Sequence, residues 1–369
     1  MPSVLTRRRY LSALAAFAAS AVSCGEETAP APSLQPDVLT SLATHVFVPT
    51  IAAFSASAQA LSAALAALGA GATVPTLVAA REAWRSCRAP WKQARAFGYG
   101  PTKDHDGNID WTPIKPDNIE QAIASAPAFT ADDIAGRGTS SKGLLALEYL
   151  LFDPALTDDA VVAKLTTDAG ADARRSYVVA LGADLAREAA ALEAEWAAFG
   201  PEIAKAGSGS AVYQRAQTAI DDIVGQLVFQ VDVTANDGIA APLGLKTGGA
   251  IAPELEVARL SDNTLTDIES ELAGIEAVWN GRFADVDDLG IDDLVREKSA
   301  ALADDVLAKI AAAKAAVAAI PPPLRTALTA APATLQAAFD AIIALKKLLA
   351  ADVVTTLGVT LSVNDNDGD

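Results

Sequence analysis

One carboxylate, Glu148, stands alone in the apolar run KGLLALEYLLF, residues 142–152. On a helix its neighbours three and four positions away are Leu144, Leu145, Leu151 and Phe152, so its own face offers no polar companion. A helix that is apolar all round is a buried helix, and a buried carboxylate needs a partner or is pushed toward its neutral form. The chemistry open to such a group is holding a cation or pairing with an arginine. A second pattern offers the arginines: Arg81, Trp84, Arg88, Trp91 and Arg95 recur at spacings of three and four, so they share a helical face. Alternating guanidinium and indole groups can stack, each contact contributing about 1 kcal/mol. The stripe reads either as the basic, aromatic wall of a pocket or as a seam where tryptophans pack and arginines pair with acids. In both readings one of its arginines is the expected partner of Glu148.

Other chemistry finds little material. A catalytic zinc needs three protein ligands and an open position, and the chain has two histidines, His45 and His105, with no H-E-x-x-H. His45 falls in an apolar helical stretch and reads as a hydrogen-bonded core histidine. His105 lies in DHDGNID, where Asp104, Asp106, Asn108 and Asp110 could offer oxygens to calcium, but the spacing departs from the EF-hand glycine at position six. An acidic surface turn is the expectation there. The terminal NDNDGD ends before a calcium loop could close. GSGS is not a G-x-S-x-G elbow, and Cys87 has arginines near it but no histidine within sequence reach.

The elements that must position these groups read as helices. Alanine is abundant, aromatics make up 5% of the chain, and apolar residues recur at three and four. Helices are expected near 36–68, 76–97, 119–126, 144–152, 173–199, 212–233, 264–279, 291–319 and 323–356, with a kink or break at Pro49 and another proline, Pro90, inside the second. The Gly-, Pro- and Asp-rich 98–118 segment reads as a long ordered loop. Thr264 and Asp267 resemble a capping box. The expected class is all-α, built as two helical bundles, 37–206 and 207–369, divided at the glycine- and serine-rich stretch before residue 211.

Residues 1–23 have a basic start, Arg7 to Arg9, a short apolar run and small residues before Cys24, the layout of an export signal. AVSC resembles a lipobox, with Cys24 as the acylated first residue and 24–36 as a Pro-rich tether to the membrane. TRRRYLS has the look of a twin-arginine signal, beside the plainer reading of an ordinary secretory one. Cleavage before Cys24 would leave 25 basic against 46 acidic residues, a net charge of −21, which excludes nucleic acid as a partner. It would also leave Cys87 alone, so no internal disulfide can form.

Several segments together resemble the imelysin-like family, also known as the M75 peptidase or iron-regulated protein A family. They include AWRSCRAPWKQARAFGYGP, NIDWTPIKPDNIEQAI, KGLLALEYLLF, IAAPLG and ELEVARLSDNTLTDIESELAGIEAVWNG, spread over nearly the whole chain after Cys24. The resemblance implies an all-helical fold of two bundle-like domains, a secreted or lipid-anchored bacterial protein, and a link to iron acquisition. It also implies a G-x-H-x-x-E motif whose histidine and glutamate jointly hold a metal, iron or another divalent cation. Aligned on GLLALE, Gly143 and Glu148 are in place, but Leu145 stands at the histidine position and cannot ligate.

The expected product is therefore an envelope-anchored binding protein without catalysis of its own. Its pocket should lie where Glu148 meets the Arg81–Arg95 helix, the Asp110–Trp111 loop and the Ser261–Asp267 segment, with Asp267 either a site residue or a helix cap. A metal, a small ligand or an envelope protein is the partner this reading allows. An M75-type peptidase, and a scaffold or glycan-binding lipoprotein whose metal site has decayed, are the alternatives.

Overall fold

The computed structural model describes residues 33–361. The expected signal segment, Cys24, most of the tether and the NDNDGD tail lie outside the described residues. The chain is all-α: among the described residues the strands are two short pieces, Arg282–Phe283 and Val286–Asp287, paired as a small antiparallel hairpin.

Helix α1 runs from Gln35 to Ala70. Pro49 does not break it. A π-turn over Leu42–Phe47 precedes the proline, and the helix resumes at Val48 with Pro49 in its first turn. Proline lacks the N–H that an α-turn would use at this point, and the wider turn accommodates that loss. The helix is long and apolar enough to cross a membrane, yet its Leu39, Leu42, Val46, Ile51, Phe54, Leu61 and Leu65 are buried in the protein core. Helix α2, Val74–Ala94, starts with a capping box between Thr73 and Thr76 and continues through Pro90.

The segment read as a long loop carries a helix, α3, Pro101–Ile109, and the helix expected at 119–126 starts three residues earlier as α4, Pro116–Ser125. Both open with proline in the first turn, where the missing N–H has no helical partner to lose. Composition signalled a loop, whereas the prolines mark helix starts. Next come α5 (Ala131–Ala135), α6 (Gly143–Leu151), α7 (Asp158–Thr166) and the long α8 (Ala171–Ala204).

In the second half α9, Ala216–Ala235, extends through a π-turn at Asn236–Ala240. Helix α10 is Thr264–Asn280; Asn263, and not Thr264 as expected, stands at the N-cap position, and its side chain makes no cap bond. The expected helix over 291–319 is two, α11 (Ile291–Lys298) and α12 (Ala300–Ala318), because Ser299 leaves the helical conformation and its hydroxyl caps the second by accepting from Leu302 N. The last is also divided, into α13 (Leu324–Ala330) and α14 (Pro332–Leu348), at a proline that cannot donate.

Helix α1 packs on both α2 and α8, helices α9, α10, α12 and α14 pack in a ring, and α2 lies against α10. One hydrophobic cluster runs through both halves, and the described residues from Leu34 to Leu361 form one compact unit. The α2–α10 seam is close because α10 presents Gly274: a Cβ there would sit 2.2 Å from the Gln93 carbonyl oxygen. That contact is with backbone, so it cannot be relieved by a rotamer change. Gly274→Ala is expected to destabilise the protein by about 1–3 kcal/mol, the range for overpacking a tight site. Thermal melts check this, and an unchanged melting temperature would show that the seam has slack.

Candidate functional site

Helix α6 enters the core through Gly143, whose φ is +76° and whose Cβ, if present, would lie 2.4 Å from the Ile109 carbonyl oxygen. Only glycine lets the helix begin so close to the end of α3. One turn on, Glu148 is 2% exposed. Its Oε1 accepts from Leu260 N at 3.1 Å, Ser261 N at 2.9 Å and the Ser261 hydroxyl at 2.6 Å. The partner of Glu148 is thus a turn of backbone from the second half of the chain, and the expected arginine bond is not made. Burial pushes its carboxyl up to about 7, opposed by the Ser261 hydroxyl and the positive field of Arg88.

Arg88, fully buried on α2, anchors the ionic centre of the site. Its Nε and Nη2 grip Asp267, with Nη2 at 2.6 Å from Oδ2, and its Nη1 donates to Asp110 Oδ1 at 2.8 Å. The guanidinium carbon stands 5.0 Å from the Trp84 ring centre. One turn further, Lys92 Nζ lies 3.0 Å from Asp110 Oδ2 and 3.5 Å from Glu271 Oε1. Asn263 Nδ2 donates to Asp267 Oδ1, and Thr234 Oγ1 donates to Glu271 Oε2. Burial alone would raise the Asp110 carboxyl, but Arg88 and Lys92 beside it hold it at about 2. Burial would lower Arg88, yet Asp110 and Asp267 keep it above its ordinary value. Glu271, with less positive charge against it, is raised by burial.

The stripe on α2 serves three different neighbours. Arg81 donates to the Leu151 carbonyl and to Asp158, Arg88 binds the two aspartates, and Arg95 pairs with Asp106. Trp84 donates to the Leu144 carbonyl at 2.8 Å, and Trp91 packs on Phe54 in the core. Trp111 is 46% exposed at the rim. The Asp267 side chain binds Arg88, while Asn263 occupies the cap position.

The calcium-like spacing does not close into a loop. His105 lies on α3 with Nδ1 2.9 Å from Glu188 and Nε2 3.3 Å from Glu195, Asn108 donates to Glu188, and Asp106 and Asp110 are taken by cationic side chains. His45 is no core histidine either, since its half-exposed ring faces Asp288 at 2.9 Å. Cys87 is buried, and burial pushes its thiol up to about 12, which makes it inert.

Sequence reasoning missed Lys92, Glu271, Asn263 and Glu256. Lys92 and Glu271 follow Arg88 and Asp267 by four residues, so helical spacing placed them on the same faces. Two pockets flank the network and share Thr112 and Val257 in their walls. The larger, of about 350 Å³, is bordered by Glu148, Leu145, Phe152 and Glu256, and the smaller, of about 180 Å³, by Lys92, Asp110, Trp111 and Glu271.

The donor set does not fit the metal that the G-x-H-x-x-E resemblance implies. Leu145 takes the histidine place, Glu148 Oε1 is already the acceptor of three bonds, and among the described residues no three His, Cys, Asp or Glu side chains gather as a metal site.

The imelysin (peptidase M75) family matches residues 47–351. Iron-regulated protein A of Synechococcus elongatus is 28% identical over 296 residues, which cover 77% of this chain and 75% of that protein. Two solved structures share the fold. An iron-regulated protein A precursor from Parabacteroides distasonis has a TM-score of 0.76 at 18% identity, covering 90% of this chain and 97% of its own. An imelysin-like protein from Psychrobacter arcticum has a TM-score of 0.71 at 20% identity, covering 89% and 96%.

Proposed function

The chain belongs to the imelysin family, and on that footing we propose that it is a non-catalytic binding protein of the bacterial envelope, held to a membrane through lipid on Cys24 and serving iron acquisition. The observation that carries the non-catalytic part is the engagement of Glu148. A carboxylate that activates water or holds a metal needs a free, correctly aimed lone pair with a partner ligand. Here three donors converge on Oε1, which leaves Oε2 as the one open oxygen, and Leu145 three residues before it supplies no partner ligand. What the site does offer is a pocket with buried charge along its floor, the usual form of a ligand site. The iron link rests on the iron-regulated relative, and the anchor on the AVSC sequence with its Pro-rich continuation.

The M75 peptidase is the competing reading, and the two separate experimentally. Intact-mass analysis of the membrane fraction should show an acylated chain beginning at Cys24, and the acyl mass should vanish in Cys24→Ala. Purified protein should leave unfolded substrates intact with or without divalent metals. A strain lacking the gene should grow poorly under iron limitation. Cleavage that disappears in Glu148→Gln would establish the peptidase instead, and normal growth of the deletion strain would remove the iron link.

A further inference from the structure

The two carboxylate oxygens of the buried Glu148 have different surroundings. Oε1 accepts from Leu260 N, Ser261 N and the Ser261 hydroxyl, whereas Oε2 has no protein donor and keeps accessible surface where Glu148 borders the pocket of about 350 Å³. The collar around it is apolar. Leu145 and Phe152 flank Glu148 three and four positions away along the chain of α6, and Leu260 is held against it by its own N–H; all three border the pocket. Other charges at the border do not reach for a ligand here. Lys164 is answered by Asp153 at 3.4 Å, Arg174 by Glu120, Arg259 is exposed at the rim, and the oxygens of Glu256 are closed off from the cavity.

A carboxylate can only accept hydrogen bonds, while a carboxylic acid has one O–H to donate. Because Oε1 faces three donors, Glu148 takes its proton on Oε2. The pocket therefore meets an acceptor when Glu148 is ionised and a donor when it is neutral. Burial pushes the carboxyl up to about 7, opposed by the Ser261 hydroxyl and by Arg88 on α2, while Asp267 on α10 adds to the rise; Arg85 on α2 is a further charge facing it. Both states are thus populated near neutral pH. An ammonium group would bring three donors to this one acceptor and leave two unmet among hydrocarbon, and a metal ion would find a single oxygen. A hydroxyl donates and accepts through one atom, so it satisfies Oε2 in either state.

Resting on the binding reading above, we infer that this pocket takes a small neutral alcohol, its hydroxyl on Glu148 Oε2 and its apolar body on Leu145, Phe152 and Leu260. A ligand that can only accept, such as a ketone, is held by the neutral acid alone.

The test uses the purified full chain with 2-phenylethanol, acetophenone and 2-phenylethylamine, which are matched in size. Calorimetry should show saturable binding of the alcohol at both pH 5.5 and pH 8.5, and weaker binding of the amine at both. Acetophenone should bind at pH 5.5 and weaken about tenfold or more at pH 8.5, because its affinity scales with the fraction of Glu148 in the neutral form. In Glu148→Gln the amide oxygen keeps the bonds of Oε1 and the NH2 group donates at every pH, so the ketone should bind equally at the two values. Absence of saturable alcohol binding, tighter binding of the amine, or ketone affinity that is the same at both pH values in the parent would each overturn the inference. So would a pH dependence that survives in Glu148→Gln. If the alcohol fails to bind while the iron-limited growth defect persists, the ligand class falls and the binding reading stands.

Discussion

Arg88→Met is expected to destabilise the protein by about 3–5 kcal/mol, the cost of removing one partner from a buried ion pair. The guanidinium holds Asp267 through two nitrogens and Asp110 through the third, and its removal leaves Asp267 with the Asn263 amide and Asp110 with Lys92. The loss is dominated by the stranded charge, so it depends on pH. In the parent, Asp110 is held at about 2, below its ordinary value. An acid depressed in this way stabilises the fold above its ordinary range, and that stabilisation is lost as pH falls toward 2. In Arg88→Met the Asp110 carboxylate keeps Lys92 alone of its two cations, so the deficit should be largest at neutral pH and shrink on acidification. Urea melts at pH 7 and pH 4 measure both effects. Adding Asp267→Leu to Arg88→Met should recover part of the loss, because a matched apolar pair can replace a buried ionic one. A deficit below about 1 kcal/mol at pH 7 would mean that Arg88 is not the electrostatic centre of the network.

The sequence revealed that Glu148 needs a partner, but not which one. A lone carboxylate on an all-apolar helix states the need through burial alone, while the partner depends on a turn 112 and 113 residues away whose backbone N–H groups point inward. Every residue type carries that N–H, so no residue type announces it. Arg88 was legible for the opposite reason, since an arginine on a tryptophan-lined face has few ways to be buried except against carboxylates. Which carboxylates those were required the α2–α10 seam, set by Gly274 against Gln93. Asp267 could be read as a cap because an acid three residues into a helix looks the same whether it turns back to the cap or across to an arginine. The 98–118 segment misled because glycine, proline and aspartate are enriched in loops and in first helical turns alike, and only packing against α8 separates the two.

Glu148→Ala is the second large effect, with an expected loss of about 3 kcal/mol. It leaves Leu260 N, Ser261 N and the Ser261 hydroxyl without their acceptor in a buried place, where an unmade bond costs about 1–3 kcal/mol, and it removes packing as well. Glu148→Gln should behave differently, because its amide oxygen can take the Oε1 position and keep all three bonds. The difference between parent and Gln variant then isolates the ionisation. Burial holds the parent carboxyl at about 7, above the usual 4.5. An acid raised on folding contributes most stability below its unfolded value and loses it as pH rises through its folded value. The parent should therefore fall relative to Glu148→Gln between pH 5 and pH 8, the reverse of the trend that Asp110 imposes at the acid end. Added iron or zinc should leave the melting temperature of the parent unchanged. If Glu148 were a ligand, metal would stabilise the parent in proportion to the logarithm of its concentration above the dissociation constant. Glu148→Ala would abolish that gain, and Leu145→His would enlarge it by restoring an imidazole three residues from the carboxylate. Metal-dependent stabilisation that tracks Glu148 in this way would show that the turn at Leu260 and Ser261 yields to a cation, and that the carboxylate is not committed to holding the two halves of the chain together.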